Sequence, residues 1–212
     1  MRKPPRRTRE RILETSLALF NREGEPHITT ADIADEMNIS PGNLYYHFRN
    51  KDDIIGELYA AYEKSVMPLF AVPADTDVED LWFLLHVLFE RMRDYRFLYR
   101  DLDEITSRNR KLALRVADLL RSFDGTVLEL CRSLVRSGRM RASERELGAL
   151  AANATLISTY WMSWQRVGGA HGAAGGDDVN LGLAAYHVLA LFAPFMQGDG
   201  RALIERLGED YL

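Results

Sequence analysis

The stretch that most constrains this chain covers residues 28–51, ITTADIADEMNISPGNLYYHFRNK. In each half of it, apolar residues fall four apart, which is the spacing of one helix face. The two pairs are Ile33 with Met37 and Leu44 with Phe48. Between them lies Asn38, where the chain must turn sharply, and asparagine tolerates a positive φ better than most residues. The stretch therefore predicts two short helices joined by a tight turn.

Polar residues at the predicted helix ends favour the same arrangement. Thr29 or Thr30 is placed to cap the first helix, because a side-chain oxygen there accepts a hydrogen bond from an otherwise unpaired backbone N–H. Ser40 is placed to cap the second helix, and Pro41 occupies its first turn, where a missing N–H does no harm. Asn50 is placed to cap the helix that follows. These caps predict the boundaries of a helix-turn-helix.

The residues left on the outer faces of the second helix suit contact with DNA. A helix-turn-helix places the N-terminal part of its second helix against base edges in the major groove. Gly42 allows a close approach, Asn43 can hydrogen-bond to base edges, and tyrosine hydroxyls can bond to phosphates. Lys51 has the wrong sign for a helix N-terminus, and a nearby phosphate would explain it. Such patterns also occur by chance, so spacing alone leaves the question of DNA binding open.

The first fifty or so residues also resemble the DNA-binding domain of the TetR family of bacterial transcriptional regulators. The resemblance is carried by RILETSLALFNREG, ITTADIADEMNIS and above all SPGNLYYHFRNKDDI, within residues 11–54. It implies DNA contacts at Thr30, Pro41, Gly42, Asn43, Tyr45, Tyr46, His47 and Lys51. The two cap residues Thr29 and Ser40 complete the candidate DNA-binding set. Beyond about residue 65, only the all-helical, dimeric character of the family carries over.

Charge is distributed unevenly along the 212 residues. The whole chain carries a net charge of −4, which by itself argues against a nucleic-acid partner. Residues 1–51, however, hold nine Lys or Arg against seven Asp or Glu, and six of these basic residues lie among the first eleven. A basic arm on an acidic body focuses DNA affinity at one end. The Pro4-Pro5 pair also suits an arm that is disordered without DNA.

The rest of the chain predicts helices and shows no strand pattern. The predicted helices span residues 8–22, 52–67, 78–93, 95–107, 109–137, 144–167, 179–197 and 201–207. We expect a linker over residues 71–76 and a flexible, low-complexity segment over residues 168–176. The predicted fold class is therefore all-α. A three-helix helix-turn-helix DNA-binding domain over residues 1–51 precedes a larger helical effector-binding and dimerisation domain over residues 52–212.

Two stretches near the end of the chain, residues 147–165 and 179–198, carry no charged residue. Their lengths match a bilayer span, but polar residues such as Asn153 and Asn180 interrupt them, so we expect no membrane segment. Uncharged helices outside a membrane are buried by protein on most sides. We expect both to pack on the same two helices of a second copy, as a four-helix bundle in a homodimer. The alternative is that both lie wholly inside one subunit.

An aromatic-rich middle suits an apolar ligand pocket between helices. The candidate ligand-binding residues are Trp82, His86, Phe89, Tyr99, Phe123, Ser158 and Trp161. Ordinary core packing is the alternative for each of them. A pocket with few charges favours a hydrophobic or amphipathic small-molecule effector, such as an acyl chain or an aromatic compound.

Catalytic motifs are missing from the sequence. It contains no HExxH, nucleophile elbow, phosphate loop or CxxC, and its five histidines show no metal spacing. We therefore expect no enzyme, no cofactor and no metal. The single cysteine, Cys131, fits a reducing cytoplasm.

The predicted function is a dimeric regulator, expected to be a repressor. It binds a palindromic, double-stranded DNA operator, and the small hydrophobic effector releases it. The alternative is a DNA-binding regulator that answers to a protein partner or acts as an activator, with no small-molecule ligand.

Overall fold

The structure is a computed structural model that describes residues 5–71, 76–168 and 181–209. Within these ranges it contains eleven α-helices, three short 3-10 helices and no β-strand, which confirms the all-α prediction. The α-helices are α1 Pro5–Glu23, α2 Thr30–Glu36, α3 Pro41–His47, α4 Lys51–Val66, α5 Val78–Asp94, α6 Arg96–Arg100, α7 Leu102–Arg108, α8 Arg110–Arg136, α9 Glu144–Gly168, α10 Leu181–Phe192 and α11 Gly200–Glu209. The 3-10 helices are Glu25–His27, Met67–Phe70 and Ala193–Phe195.

The chain divides into two compact units. Unit 1 holds Met1–Ser65 and Tyr95–Ala113, and unit 2 holds Val66–Asp94 and Leu114–Leu212. Unit 1 thus contains α6 and α7 as well as α1 to α4. The predicted domain boundary after residue 51 divides the chain by function, which packing alone does not test, so it stays a prediction.

The core of unit 1 is formed by the inward faces of α1, α2 and α3. Ile12 and Phe20 of α1, Ile33 of α2 and Leu44 of α3 have no exposed surface. Burying each such side chain contributes about 1.5–3 kcal/mol. Phe97 of α6 joins this core, because its ring centroid lies 5.2 Å from that of Phe20. The helix faces predicted to point inward are therefore the buried ones.

Unit 2 is organised around α10. Its buried residues include the small Ala184 and Ala185, which let neighbouring helices approach closely, and the large Phe192. The helices α5, α9 and α11 all pack against it. Across the ranges that the structure describes, no helix is both long enough and apolar enough to cross a membrane.

The predicted start of α1 differs from the observed one. The helix begins at Pro5, three residues before the predicted residue 8, because the fixed φ of proline suits a first helical turn. At its other end, one residue beyond the predicted residue 22, the helix stops before Gly24, which has a φ of +97°. The predicted linker over residues 71–76 and the low-complexity segment over residues 168–176 fall mostly outside the described residues.

Two predicted helices are interrupted in the structure. The segment predicted as one helix over residues 95–107 forms α6 and α7, since Asp101 between them has a non-helical φ of −112° and ψ of 22°. The segment over residues 179–197 forms α10, which passes into a 3-10 helix at residue 193, while residues 179 and 180 lie outside the described ranges. Pro194 lacks an N–H for an α-helical hydrogen bond, which explains the change.

Candidate nucleic-acid interface

The turn between α2 and α3 has the predicted geometry. Asn38 adopts a φ of +53°, in the left-handed region, and among the described non-glycine residues it alone has a positive φ. Its N–H donates to the carbonyl of Asp35 at 2.9 Å, and the N–H of Ile39 donates to the carbonyl of Ala34 at 3.0 Å. The chain therefore changes direction sharply at Asn38 and Ile39. The two backbone hydrogen bonds hold this turn between α2 and α3 in place.

Of the two threonines that could cap α2, Thr29 is the cap. Its hydroxyl donates to the Asp32 carboxylate at 2.7 Å and accepts the Asp32 backbone N–H at 3.2 Å. The hydroxyl and the backbone N–H of Thr29 both donate to the Asp32 carboxylate, and these two hydrogen bonds hold the pKa of that carboxyl below its usual value. Thr30 is the first residue of α2, and its hydroxyl oxygen lies 3.0 Å from that of Tyr45. Thr29 is thus used within the protein, while Thr30 joins α2 to the outer face of α3.

The second helix of the motif, α3, is capped as predicted and presents an exposed face. The Ser40 hydroxyl accepts the backbone N–H of Asn43 at 3.2 Å. Leu44 is fully buried, and Phe48 just beyond the helix is 3% exposed. The residues on the other sides are exposed or, for His47, half-buried: Pro41, Gly42, Asn43, Tyr45, Tyr46 and His47. Tyr46 is 80% exposed, which is unusual for an aromatic side chain unless a partner covers it.

No contact within the described chain requires glycine at position 42. A Cβ added at this position would meet nothing closer than the Ser40 Oγ, at 4.0 Å. Glycine favours the helical conformation less than alanine does, because it loses more conformational freedom on folding. Close approach of an external surface to the α3 backbone would explain a glycine here.

The side chain of Lys51, at the start of α4, is held by protein oxygens. Its ammonium donates to the carbonyl of Glu25 at 3.0 Å and to the carbonyl of Ile28 at 2.8 Å. It also lies 2.7 Å from the Glu25 carboxylate. A nearby phosphate is therefore not needed to explain a cation at this helix N-terminus, because these three protein acceptors suffice. A DNA contact at Lys51 stays a prediction.

Sequence reasoning missed a charged cluster that joins α7 to the first half of unit 1. Arg108, the last residue of α7, contacts the Glu25 carboxylate and lies 3.2 Å from that of Asp52. The Glu25 backbone N–H donates to the carboxylate of Asp101 at 3.0 Å. These partners are about 60–80 residues apart in sequence, so no local pattern reveals them.

The candidate ligand-binding residues fall in both units. Tyr99 belongs to unit 1, where its hydroxyl lies 2.5 Å from that of Tyr62 and burial raises its pKa to about 12. The other six belong to unit 2: Trp82, His86, Phe89, Phe123, Ser158 and Trp161. Four of these six are buried, whereas His86 is partly exposed and its ring stacks on that of Trp82 at 5.1 Å. Their part in ligand binding stays a prediction.

A surface pocket of about 820 Å³ in unit 2 involves none of the candidate residues. Its lining mixes both signs of charge and includes Asp77, Arg139, Asp199 and Arg206. In the part of the chain that the structure describes, no cluster of three or more His, Cys, Asp or Glu side chains could hold a metal ion.

A helix-turn-helix with a capped, outward-facing second helix, followed by a helical trunk, defines a DNA-binding transcriptional regulator. The family models agree with this class. The model described as bacterial regulatory proteins, tetR family, matches residues 12–58, and the TetR model described as bacterial transcriptional repressor matches residues 61–204. The chain belongs to the TetR family of transcriptional regulators.

Solved structures and curated relatives support the assignment over different lengths. A TetR-family regulator from Marinobacter aquaeolei VT8 is 34% identical, has a TM-score of 0.84, and is matched over 96% of this chain and 98% of that one. A regulator from Saccharomonospora viridis, solved in complex with choline, is 20% identical with a TM-score of 0.67, over 91% and 100% of the two chains. The probable acrEF/envCD operon repressor of Escherichia coli K12 is 38% identical over 53 residues, 25% of this chain. That match spans about a quarter of the length of the curated relative.

Proposed function

We propose that this regulator is a repressor that occupies a palindromic operator as a homodimer and leaves it when an amphipathic or hydrophobic small molecule binds. The observation that carries the DNA half of the proposal is the outward face of α3. This face offers close backbone approach, base-edge hydrogen bonds and phosphate contacts. The residues concerned are Gly42, Asn43, Tyr45 and Tyr46. No contact within the described chain requires glycine at position 42, so close approach of a DNA groove is the explanation that we favour.

Repression is favoured over activation by the relatives. The curated relative from Escherichia coli is named as a probable operon repressor, and the longer family model is described as a bacterial transcriptional repressor. A repressor acts by occupying its operator, so strong DNA binding without any added compound is the expected ground state.

An exposed apolar stripe on α9 supports a homodimer. Leu156, Tyr160, Trp164 and Val167 follow one another at helical spacing, and all four are exposed in the single chain. An exposed apolar patch of this kind marks an interaction surface. A second copy of the same stripe, related by a two-fold axis, would cover it without any charged residue to desolvate.

The neighbouring helix α10 extends this surface. His187 of α10 contacts Trp161 of α9, with 5.0 Å between ring centroids. Further along α10, Ala190 and Pro194 just beyond it are also exposed. Two adjacent helices with exposed, uncharged residues suit a four-helix bundle between copies.

Buried polar atoms in unit 2 support an effector site. On α5 and α9, four such atoms have no hydrogen-bond partner among the described residues: Trp82 Nε1, Thr155 Oγ1, Ser158 Oγ and Gln165 Oε1. Buried polar groups in native proteins nearly always have a partner. Ser158 and Gln165 are seven residues apart, so they lie on one side of α9. A ligand with apolar bulk and one or two polar groups would satisfy these atoms.

A thermal-shift screen tests the effector half of the proposal. Acyl-chain and aromatic compounds are screened on the full chain, and the hits are then tested on Ser158→Ala and Trp82→Phe, which each remove one polar group. We expect at least one compound that raises the melting temperature of the wild type, raises it less in a variant, and weakens DNA binding. Compounds that never alter DNA binding would favour the alternative regulator, which answers to a protein partner.

A further inference from the structure

The buried carboxylate of Glu25 is shared by two cations from different helices. Glu25 has no exposed surface, and its Oε1 contacts both the Lys51 ammonium and the Arg108 guanidinium. Its other oxygen, Oε2, has no hydrogen-bond partner in the described ranges. A buried charge is tolerated only when it is paired. Both cations therefore compete for one oxygen of one acid.

The cluster lies at the start of α4, directly after the recognition helix. Lys51 follows His47, the last residue of α3, by four positions, which limits their Cα atoms to a separation of roughly 14 Å. Arg108 also lies 3.2 Å from the Asp52 carboxylate and 3.9 Å from that of Glu104, so three carboxylates face two cations and the five charges sum to −1. Without Arg108, the sum is −2 within about one to two Debye lengths of a helix that meets phosphates.

We propose that Arg108 is a positioning residue for DNA binding, although it lies on α7. By sharing the Glu25 carboxylate, Arg108 keeps that acid from cancelling the charge of Lys51, which then attracts the phosphate backbone. The inference rests on the proposed DNA-reading role of α3. It also gives α7 a direct electrostatic means of control, because a displacement that withdraws Arg108 from Glu25 lowers DNA affinity.

The test measures dissociation constants over a range of KCl concentrations, with one duplex that the wild type selects from a random library. Arg108→Gln should weaken binding about three- to tenfold and lower the salt slope by about one phosphate contact. Glu25→Gln, which removes the competing acid, should strengthen binding. The double variant Glu25→Gln/Arg108→Gln should return to near the wild-type affinity, and Arg108→Lys, which keeps the charge, should stay close to it.

Arg110→Gln is the matched control, because it removes the same charge two residues away at the exposed start of α8. Thermal melts of every variant establish that it folds. If Glu25→Gln does not fold, the contrast between Arg108→Gln and Arg108→Lys still decides. Equal affinity of Arg108→Gln and Arg110→Gln, or weakening by both Arg108→Gln and Glu25→Gln, overturns the inference. A wild type that selects no duplex overturns the proposed function itself, which distinguishes the two failures.

Discussion

The outward faces of α3 and α9 are both exposed, yet they are built from different chemistry. On α3, glycine, asparagine and two tyrosines offer hydrogen bonds and a close approach. On α9, the exposed side chains of Leu156, Trp164 and Val167 are almost wholly apolar, with the indole N–H of Trp164 as the one polar group among them. The first face suits a polyanion with readable edges, and the second suits another apolar protein surface. Exposure alone therefore does not identify a partner, whereas the polar content of the exposed face does.

The largest effect is expected from a substitution that disrupts the exposed face of α9. Leu156→Glu places a charge within the proposed dimer interface, so we expect monomers by size-exclusion chromatography with light scattering. Because two linked helix-turn-helix motifs bind DNA far more tightly than one, affinity for the selected duplex should fall about a hundredfold or more.

Leu114→Glu is the control for this change. Leu114 is 59% exposed and Leu156 is 57% exposed, so the two substitutions differ in place and not in burial. We expect Leu114→Glu to stay dimeric and to bind DNA normally. Dimers that survive Leu156→Glu would show that α9 is not the interface.

A smaller effect is expected from a substitution that alters the exposed face of α3 and leaves that of α9 unchanged. Tyr45→Ala should weaken DNA binding about tenfold, since it removes the hydroxyl that we propose to bind phosphate, and it should leave the oligomeric state unchanged. Phe83→Ala is the matched control, because Phe83 of α5 is 57% exposed and Tyr45 is 51% exposed. Fluorescence anisotropy with a labelled duplex measures both. Equal affinities for the two variants would exclude Tyr45 from the DNA interface.

Removing the N-caps of α3 and α9 compares the two helices by their contribution to stability. The Ser40 hydroxyl caps α3, and the Ser143 hydroxyl caps α9 in a reciprocal arrangement with Glu146. Ser40→Ala and Ser143→Ala should each lower the free energy of unfolding by about 0.5–2 kcal/mol. Urea unfolding measures this loss. Only the Ser40 variant should also weaken DNA binding, because only that cap orients the recognition helix.

The smallest effect at neutral pH is expected from the buried pair Tyr62 and Tyr99, which belongs to neither the α3 face nor the α9 face. Burial raises the pKa of Tyr99 to about 12, and burial, together with the neighbouring Tyr99, raises the pKa of Tyr62 well above its usual value. The neutral phenols are favoured in the folded state, so their contribution to stability is complete below about pH 10 and is lost as the pH rises towards 12. Urea midpoints measured against pH should fall over this window, and less so in Tyr99→Phe. A flat profile would contradict the burial of this pair.

The helix-turn-helix and the start of α4 show what the sequence can predict. Helix spacing, the caps Ser40 and Asn50, and the turn at Asn38 are all local signals, and the structure has each where the pattern placed it. Local signals suffice because each of these contacts joins residues no more than about four apart. The same holds for the ends of α1 and α8, where Gly24 and Gly138 have positive φ values.

Contacts between distant parts of the chain show where sequence reasoning ends. The sharing of Glu25 by Lys51 and Arg108 depends on contacts between residues far apart in the chain, which no short pattern encodes. Hydrophobicity likewise predicted that α9 would be buried on most sides, but it did not distinguish the side packed on α10 from the exposed side. Sequence composition gives the amount of apolar surface, and only the fold gives its direction.

Site-directed DNA cleavage tests the central claim most directly. The native Cys131 is buried, and burial raises its pKa to about 12, so it resists labelling. A cleaving probe can therefore be attached to Arg49→Cys alone, at an exposed position just beyond α3. We predict two groups of cuts on the selected duplex, in successive major grooves about 34–36 Å apart. A single group of cuts, or cutting spread evenly along the duplex, would contradict a pair of α3 helices held at groove spacing.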